Sequence, residues 1–180
     1  MKAPLSIETA RLLLRRPVPR DAQTIYRCYA GDPEVTRYLS WPTHNSVVDA
    51  YAFLEWSDAE WERWPVGPYL IFARDGRFCK ALGGVGLTFH DTETVYAGYA
   101  LARNAWGRGF ATEALSALVE VARQIHIQRL QAICHVEHAA SARVLEKCGF
   151  ERQGVLAKHT VFPNLVPHLR ADVLSYAVQL

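Results

Sequence analysis

Trp106-Gly107-Arg108-Gly109-Phe110-Ala111-Thr112-Glu113 is the stretch on which the interpretation of the whole chain depends. It follows an apolar run at residues 96–101, which predicts a β-strand, and it opens the longest helical pattern in the sequence. Apolar residues then recur at spacings of three and four along one helical face: Ala111, Ala114, Leu115, Leu118, Ala122 and Ile125. These patterns predict a strand, a tight glycine turn and a long amphipathic helix in succession.

The start of this helix has the composition of a phosphate-binding site. Helices usually begin with Ser, Thr, Asp or Asn, whose side chains satisfy the first backbone N–H groups, whereas Gly107, Arg108 and Gly109 stand here. Two glycines leave room for an anion, the helix dipole adds positive potential, and Arg108 adds a full charge. The alternative is a plain strand-to-helix turn with Asn104 as a distant cap. A dinucleotide motif does not fit, because Thr112 stands where its third glycine belongs.

The composition is that of one globular domain, which we expect to span residues 1–180. Hydrophobic residues make up 50% of the chain, and the net charge of +2 gives no sign of general nucleic-acid binding. The four cysteines form no Cys-x-x-Cys pair, which indicates reduced thiols in a cytoplasmic protein. No signal-peptide pattern and no apolar run of about 18 residues occurs, so we expect no contact with membranes.

Helix and strand patterns alternate along the chain. Strands are predicted at residues 7–18, 69–73, 82–90, 96–101, 130–136, 153–162 and 169–178. Asp21 is expected to cap a helix that breaks at Gly31, a short helix follows at 34–38, and Ser46 or Asn45 caps one that reaches about Arg63. A last helix at 139–148 is ended by Gly149.

Three local features carry further expectations. Asp75-Gly76 predicts a hairpin turn, and Gly83-Gly84-Val85-Gly86 indicates a bulge or a close backbone approach rather than a second phosphate loop. Large aromatic side chains at helical spacing usually lie in the core, with a minority lining a cleft. We expect this of the aromatic residues around the helix that reaches Arg63: Trp41, Tyr51, Phe53, Trp56, Trp61 and Trp64.

Motifs along the whole chain match one known pattern. They are Thr9-Ala10-Arg11-Leu12-Leu13-Leu14-Arg15, Gly98-Tyr99, the glycine stretch itself, Ser141-Ala142-Arg143-Val144-Leu145-Glu146-Lys147-Cys148-Gly149-Phe150 and Arg170-Ala171-Asp172-Val173. Together these motifs resemble the GNAT N-acetyltransferases, in particular the branch that includes the ribosomal-protein alanine acetyltransferases. The resemblance covers nearly the whole sequence.

The resemblance implies an α/β (α+β) fold of the GNAT type, with a mixed central sheet of about six to seven strands flanked by helices. The strands before and after the loop helix splay into a V-shaped slot for acetyl-CoA, the acyl donor. Its pantetheine arm pairs with the backbone of residues 101–103 like an added strand, and its pyrophosphate binds the N–H groups of residues 107–112. The cofactor-binding residues implied are Leu101, Ala102, Arg103, Trp106, Gly107, Arg108, Gly109, Phe110, Ala111, Thr112, His138, Ser141 and Arg143.

The sequence departs from the family pattern at three positions. Asn104 stands where the loop usually begins with Gln or Arg, His138 where relatives usually have Asn, and Tyr96 where they often have a Glu that serves as base. The candidate catalytic residues are Ser141 for the leaving thiolate and His138 or Glu93 as base, with Glu137 and His90 as further bases. For Ser141 the alternative is a plain helix-starting serine.

Two further hypotheses concern a possible metal site and the reaction that the protein catalyses. Cys134-His135-Val136-Glu137-His138 resembles a metal cluster, but alternate residues of a strand face opposite sides, so we expect no metal. The predicted activity is acetyl transfer from acetyl-CoA to a primary amine by direct attack in a ternary complex. The alternative is a catalytically inactive acyl-CoA-binding sensor or scaffold.

The acceptor class follows from the cost of deprotonation, since only a neutral amine attacks a thioester. At pH 7 this costs about 4–5 kcal/mol for a lysine side chain with a pKa near 10.4, and about 1–1.5 kcal/mol for an α-amine near 8. Without a Glu at position 96, we expect an α-amine acceptor, either a protein N-terminus or a small amino compound. The aromatic segment 41–64 is expected to form much of the acceptor cleft, and the protein to act as a monomer or homodimer.

Overall fold

The computed structural model describes residues 2–75 and 80–180. Gly76 lies outside the described residues, and with it the predicted Asp75-Gly76 turn, as does Cys79. The strands are β1 (Ser6–Glu8), β2 (Leu12–Arg15), β3 (Tyr69–Ala73), β4 (Gly83–Phe89), β5 (Val95–Leu101), β6 (Arg129–His135), β7 (Glu151–Val161) and β8 (Arg170–Gln179). The α-helices are α1 (Ala22–Ile25), α2 (Pro33–Thr36), α3 (Val47–Arg63), α4 (Phe110–Gln124) and α5 (Ala139–Lys147).

Across the described residues the strands form one mixed sheet of eight strands, in the order β1-β2-β3-β4-β5-β6-β8-β7. The expected α/β class and mixed sheet are therefore confirmed. The eighth strand arises because residues 7–18 form a hairpin and not one strand: the N–H of Thr9 donates to the carbonyl of Leu12 at 2.9 Å, which reverses the chain.

The sheet opens at one place. Strands β4 and β5 pair continuously from Gly83 to Phe89, whereas β5 and β6 are parallel and share a single register pair, Tyr96 with Gln131. Beyond that pair the two strands diverge, which is the splay that the resemblance implied. Helix α4 makes the crossover between them, as a parallel pair of strands requires.

Helix α3 begins as the sequence indicates. The Ser46 hydroxyl accepts from the N–H of Val48, and the Asp49 carboxylate accepts from the N–H groups of Asn45 and Ser46, so Ser46 is the cap and not Asn45. Asp21 does not cap α1 through its side chain.

The reason is that the Asp21 carboxylate points back toward β2. It accepts two hydrogen bonds from the Arg15 guanidinium, at 2.7 and 2.8 Å, and one from the N–H of Val18. The chain after α1 continues through a π-helical turn, Tyr26–Ala30, before it breaks at Gly31 as predicted.

The expectation that most of the aromatic residues near α3 are core residues was wrong. Trp61 is buried, but Tyr51 and Trp56 are 49% and 43% exposed. Helix α3 packs through a narrow face, whose buried residues are Ala50, Leu54, Ser57 and Trp61. Trp41 and Phe53 are half-buried against the core at the edge of this face. Trp64 instead stacks on Phe89, with ring centroids 4.8 Å apart.

The glycines of β4 serve close packing, as expected. A Cβ on Gly83 would lie 2.0 Å from the carbonyl oxygen of Ala100, and one on Gly86 would lie 3.1 Å from Cα of Pro68. No side chain fits at Gly83 without moving backbone.

The N-terminal hairpin is tied to the start of α4 by one carboxylate. Glu113 accepts hydrogen bonds from the Thr9 hydroxyl, from the backbone N–H of Arg11 at 2.8 Å and from Nε of Arg11 at 2.6 Å. Partial burial opposes ionisation of Glu113, but these three hydrogen bonds outweigh it and lower the pKa of the carboxyl group below its ordinary value. The opening motif of the chain therefore supports the glycine stretch directly.

We expect Glu113→Gln to lower the free energy of unfolding by about 1–2 kcal/mol at neutral pH, because charge-assisted hydrogen bonds are replaced by weaker ones. Since the folded-state pKa of Glu113 is lowered, this stabilisation is present above its unfolded pKa of about 4.3 and is lost as pH falls through the folded value. Urea denaturation of both proteins at neutral and acidic pH measures the difference. Glu120→Gln is the control, because Glu120 is exposed on the same helix and contacts Arg123 at 3.4 Å. A difference that does not shrink in acid would contradict this account.

Candidate active site

A cavity of about 1040 Å³ lies where β5 and β6 diverge. One wall is formed by Ala97, Gly98, Tyr99 and Ala100 of β5, and the facing wall by Ala132, Ile133 and Cys134 of β6. From the first turns of α5, Ser141 and Leu145 also line it. The rest of the lining comes from β4, from α3 and the segment before it, and from the end of β7.

The phenol of Tyr99 and the hydroxyl of Ser141 form a pair in this cavity. The Tyr99 oxygen lies 2.8 Å from Oγ of Ser141 and 3.0 Å from the Ser141 carbonyl oxygen. A carbonyl only accepts, so when Tyr99 donates to it, the Ser141 hydroxyl donates to the phenol. Burial raises the pKa of Tyr99 above its ordinary value, so the phenol stays protonated at neutral pH.

Ser141 does not begin helix α5, so the alternative that it is a plain helix-starting serine does not hold. His138 occupies the N-cap position of α5, and Ser141 lies inside the first turn, where its hydroxyl contacts Tyr99 and does not cap the helix. The His138 ring stacks on Tyr38 with centroids 4.8 Å apart. Burial, with a smaller contribution from His135, lowers the pKa of His138, so its imidazole is neutral at pH 7.

The glycine stretch adopts the conformation expected of an anion site. Gly107 and Gly109 have φ of 71° and 76°, and no side-chain hydrogen bond caps α4 within the described part of the chain. Asn104 lies in the 3₁₀ turn Arg103–Ala105 and does not cap the helix. Beside the loop, Arg11, Arg74 and Arg108 line a second cavity of about 730 Å³ together with Asp75. Arg11 is paired with Glu113 and Arg74 with Glu8, so part of this positive charge is compensated.

The loop is braced from both sides. The Trp106 indole donates to the carbonyl oxygen of Leu101 at 2.6 Å, and the Arg11 guanidinium donates to the carbonyl oxygen of Arg108 at 2.9 Å. The Arg11 guanidinium also lies over the Phe110 ring, 4.8 Å from its centroid. The backbone that presents the N–H groups at the start of α4 is therefore held in place before any ligand binds.

Comparison with known proteins identifies the family. Residues 11–151 match the model of the acetyltransferase (GNAT) domain, which is most of the chain. This protein belongs to the GNAT acetyltransferase family. The "Uncharacterized N-acetyltransferase YoaA" of Bacillus subtilis (strain 168) is 29% identical over 167 residues, which cover 90% of this chain and 91% of that protein.

Solved GNAT structures share the fold over nearly their full length. Microcin C7 self immunity acetyltransferase MccE, in complex with acetyl-CoA and AMP, has a TM-score of 0.85 at 23% identity, covering 98% of this chain and 97% of that one. RimL, a ribosomal L7/L12 α-N-protein acetyltransferase in complex with coenzyme A, has a TM-score of 0.83 at 20% identity, covering 99% and 97%. The predicted fold and the assignment as an acetyltransferase are confirmed.

The structure separates the predicted catalytic residues of this GNAT domain. Ser141 and His138 both line the main cavity. Glu93 is exposed in the turn between β4 and β5, where its N–H donates to Asp91, and it lies outside the cavity lining. Of the further base candidates, His90 lines the cavity beside Tyr96, and Glu137 is exposed next to the Tyr38 hydroxyl.

The predicted cofactor residues fall into three groups. Trp106 to Thr112 form the uncapped helix start, and His138 and Ser141 lie in the cavity, whereas Arg143 is exposed on α5 outside its lining. Part of the backbone of 101–103 is already engaged: the Leu101 carbonyl accepts from Trp106, and the Ala102 N–H donates to Leu82. The Arg103 side chain pairs with Asp32. The part of β5 that lines the cavity is residues 96–100.

Sequence reasoning missed two residues of this site. Tyr99 was named only as part of the Gly98-Tyr99 motif, although its place in a motif on the strand before the glycine stretch could have marked it as a site residue. Asn164 was assigned only to a turn, whereas its side chain joins that turn to residues 36–43 across more than a hundred positions. No local pattern could have shown this contact.

Two further observations concern ligands and membranes. Among residues 2–75 and 80–180, no three His, Cys, Asp or Glu side chains form a group that would hold a metal ion. Rings of His135 and His138 instead both stack against Tyr38. No described helix is both long enough and apolar enough to span a bilayer.

Proposed function

We propose that this acetyltransferase moves an acetyl group from acetyl-CoA to a primary amine by direct attack in a ternary complex. One observation carries the proposal: the sheet opens between β5 and β6, and the cavity in that opening is lined by the Tyr99–Ser141 pair. A thioester placed in the opening has hydroxyl donors on one side and the larger, aromatic part of the cavity on the other.

The acyl donor binds first through its phosphates. The N–H groups of residues 107–112 at the uncapped start of α4 receive the pyrophosphate, with Arg108 and the helix dipole supplying positive potential. Neighbouring structures that contain acetyl-CoA or coenzyme A support this assignment. The pantetheine arm then pairs with backbone of β5 on the side that β6 leaves open.

The chemical step needs a proton at the departing sulfur. The amine nitrogen attacks the thioester carbonyl carbon, the C–N bond forms, and the C–S bond breaks to release a thiolate. The Ser141 hydroxyl turns to donate a hydrogen bond to that sulfur, and Tyr99 donates in turn to Ser141 Oγ, a switch that the 2.8 Å contact permits. Both hydroxyls keep their protons, and the stabilised thiolate is protonated from solvent. His138, neutral at pH 7, accepts the amine proton through water.

An α-amine is the acceptor that such a site serves best. Tyr96 replaces the frequent Glu, and Glu93 does not line the cavity. The one carboxylate among the described lining residues, Asp49, lies on α3 and accepts hydrogen bonds from the N–H groups of Asn45 and Ser46. A lysine amine would add roughly 3 kcal/mol to the barrier at pH 7. RimL, which shares the fold, is described as an α-N-protein acetyltransferase, and this supports a protein N-terminus as one acceptor.

The test is release of free CoA thiol with a panel of amines, including two competing peptides. One peptide has a free α-amine and no lysine, and the other has a blocked N-terminus and one lysine. We expect acetylation of the first to dominate by about a hundredfold, the ratio of neutral amine. Preference for the lysine peptide would overturn the acceptor class. No release with any amine, despite bound acetyl-CoA, would favour the sensor or scaffold alternative.

The phosphate site is tested by Gly107→Ala with Gly149→Ala as its control. Both glycines have positive φ, and a Cβ on either would meet no atom closer than 4.0 Å in the free protein, so the two variants carry similar backbone strain. Only at Gly107 would the methyl group obstruct a phosphate. Calorimetry should show acetyl-CoA affinity lowered about tenfold or more in Gly107→Ala and nearly unchanged in Gly149→Ala. Equal affinities would remove the phosphate assignment.

The thiolate donor is tested by Ser141→Ala and Tyr99→Phe. We expect kcat to fall about 10- to 100-fold in each, with the KM for acetyl-CoA changed by less than about threefold, because the lost interaction forms in the transition state. The double variant should lose little more than Ser141→Ala, since the two hydroxyls act as one chain. Ser116→Ala on α4 is the control, because Ser116 is exposed and contacts Cys148 outside the cavity. Full turnover in Ser141→Ala would remove this role.

A further inference from the structure

The acceptor side of the cavity has an aromatic wall, defined by Trp41, Phe53 and Trp56. The rings of Phe53 and Trp56 lie 5.8 Å apart, and Trp56 is 43% exposed. Trp56 keeps this exposed surface inside a concave site that Trp41 and Phe53 also line, and apolar groups grouped in such a site are typical of ligand contacts.

The charged residues that line this cavity also restrict which ligands it can hold. No lysine or arginine occurs among the described residues that line it, and Asp49 contributes the one carboxylate. Hydrogen bonds from the N–H groups of Asn45 and Ser46 lower the pKa of Asp49, so it is ionised at neutral pH. Burial lowers the pKa of His44, the nearby ring that touches Trp41, so that ring is neutral. An anionic ligand would find no counter-charge here.

We propose that the acceptor is an amine carried on an aromatic or bulky apolar body, with no acidic group next to that body. For a peptide acceptor, this places an aromatic or apolar side chain at the second residue, against the aromatic wall. The inference rests on the proposed transfer to an α-amine and narrows its substrate class. A cationic body is tolerated through the ring faces and Asp49, whereas a carboxylate or phosphate is rejected.

Three dipeptide amides test this: Ala-Trp-amide, Ala-Lys-amide and Ala-Glu-amide. Their α-amines have nearly the same pKa, so differences in kcat/KM report the second side chain alone. We expect kcat/KM for Ala-Trp-amide to exceed that for Ala-Glu-amide by at least about tenfold, with the value for Ala-Lys-amide between them. In the Trp56→Ala variant, the ratio of kcat/KM for Ala-Trp-amide to kcat/KM for Ala-Glu-amide should fall to less than about threefold.

Tyr51→Ala is the matched control. Tyr51 lies on the same helix as Trp56 and is 49% exposed, but it does not line the cavity, so the ratio should stay as in the parent protein. Equal or better use of Ala-Glu-amide would overturn this inference and leave acetyl transfer intact. No acetylation of any peptide, with acetyl-CoA binding demonstrated by calorimetry, would instead overturn the proposed function.

A second, independent observation concerns the Asn164 side chain. Its Oδ1 accepts from the N–H of Thr43 at 2.8 Å and from the Thr43 hydroxyl at 3.1 Å. Its Nδ2 donates to the carbonyl oxygens of Thr36 at 2.7 Å and Trp41 at 2.9 Å. These four bonds use the full capacity of an amide. They join the segment 36–43 to the chain that leaves β7, and both lengths of chain line the acceptor cavity.

We infer that Asn164 is a positioning residue that holds the aromatic wall for acceptor binding. Asn164→Ala should raise the KM for Ala-Trp-amide by about tenfold or more and change the KM for acetyl-CoA by less than about twofold. Asn164→Asp keeps both acceptor contacts but sets a charged oxygen against the carbonyl oxygens of Thr36 and Trp41, so its effect should be at least as large as that of Asn164→Ala. Val166→Ala, at an exposed position of the same loop, is the control. Equal increases in both KM values, or no increase in either, would overturn this role.

Discussion

The divergence of β5 from β6 is the constraint on which the rest of the site depends. Every buried backbone N–H and carbonyl needs a partner, and a strand normally finds it in the next strand. Here β6 pairs along its length with β8, from Arg129 to His135, while it meets β5 at one register pair. The backbone of β5 beyond Tyr96 therefore keeps hydrogen-bonding capacity on that side. An extended ligand with amide groups, such as the pantetheine arm proposed above, would satisfy it in the way an added strand does.

The opening between β5 and β6 also explains why the glycine stretch and the N-terminal motif, which are far apart in sequence, meet in the fold. The crossover from β5 to β6 requires a helix, and the start of that helix lies at the end of β5, where the glycine stretch presents its N–H groups. The N-terminal hairpin supports this point through Glu113, which takes hydrogen bonds from Thr9 and Arg11. Arg11 also reaches the carbonyl of Arg108. The hydrogen bonds made by Thr9 and Arg11 thus link the first strands to the proposed phosphate site.

The acceptor side is built on different principles. Its aromatic wall, Trp41, Phe53 and Trp56, comes from α3 and the segment before it, which lie outside the sheet. The Asn164 amide joins the segment before α3 to the chain after β7, and no lysine or arginine occurs among the described residues that line the cavity. The glycine stretch and its helix belong to the motifs that match the family, whereas the aromatic wall and Asn164 lie outside those motifs.

The sequence by itself determined what depends on local spacing. The amphipathic period of α4, the Ser46 cap of α3, the strand at Tyr69–Ala73 and the positive-φ glycines all follow from near neighbours along the chain. The split of residues 7–18 into two strands was missed because a run of leucines gives no sign of the reversal at Thr9. Long stretches with one clear period were predicted well for this reason.

Only the tertiary structure decided which side chains meet. Burial of the aromatic residues near α3 depended on which narrow face of that helix packs, and this face admits Trp61 but not Trp56. The exclusion of Glu93 from the cavity, the pairing of Tyr99 with Ser141 and the bonds of Asn164 depend on strand order and loop approach. These contacts join residues tens of positions apart, and no spacing rule along the chain encodes them.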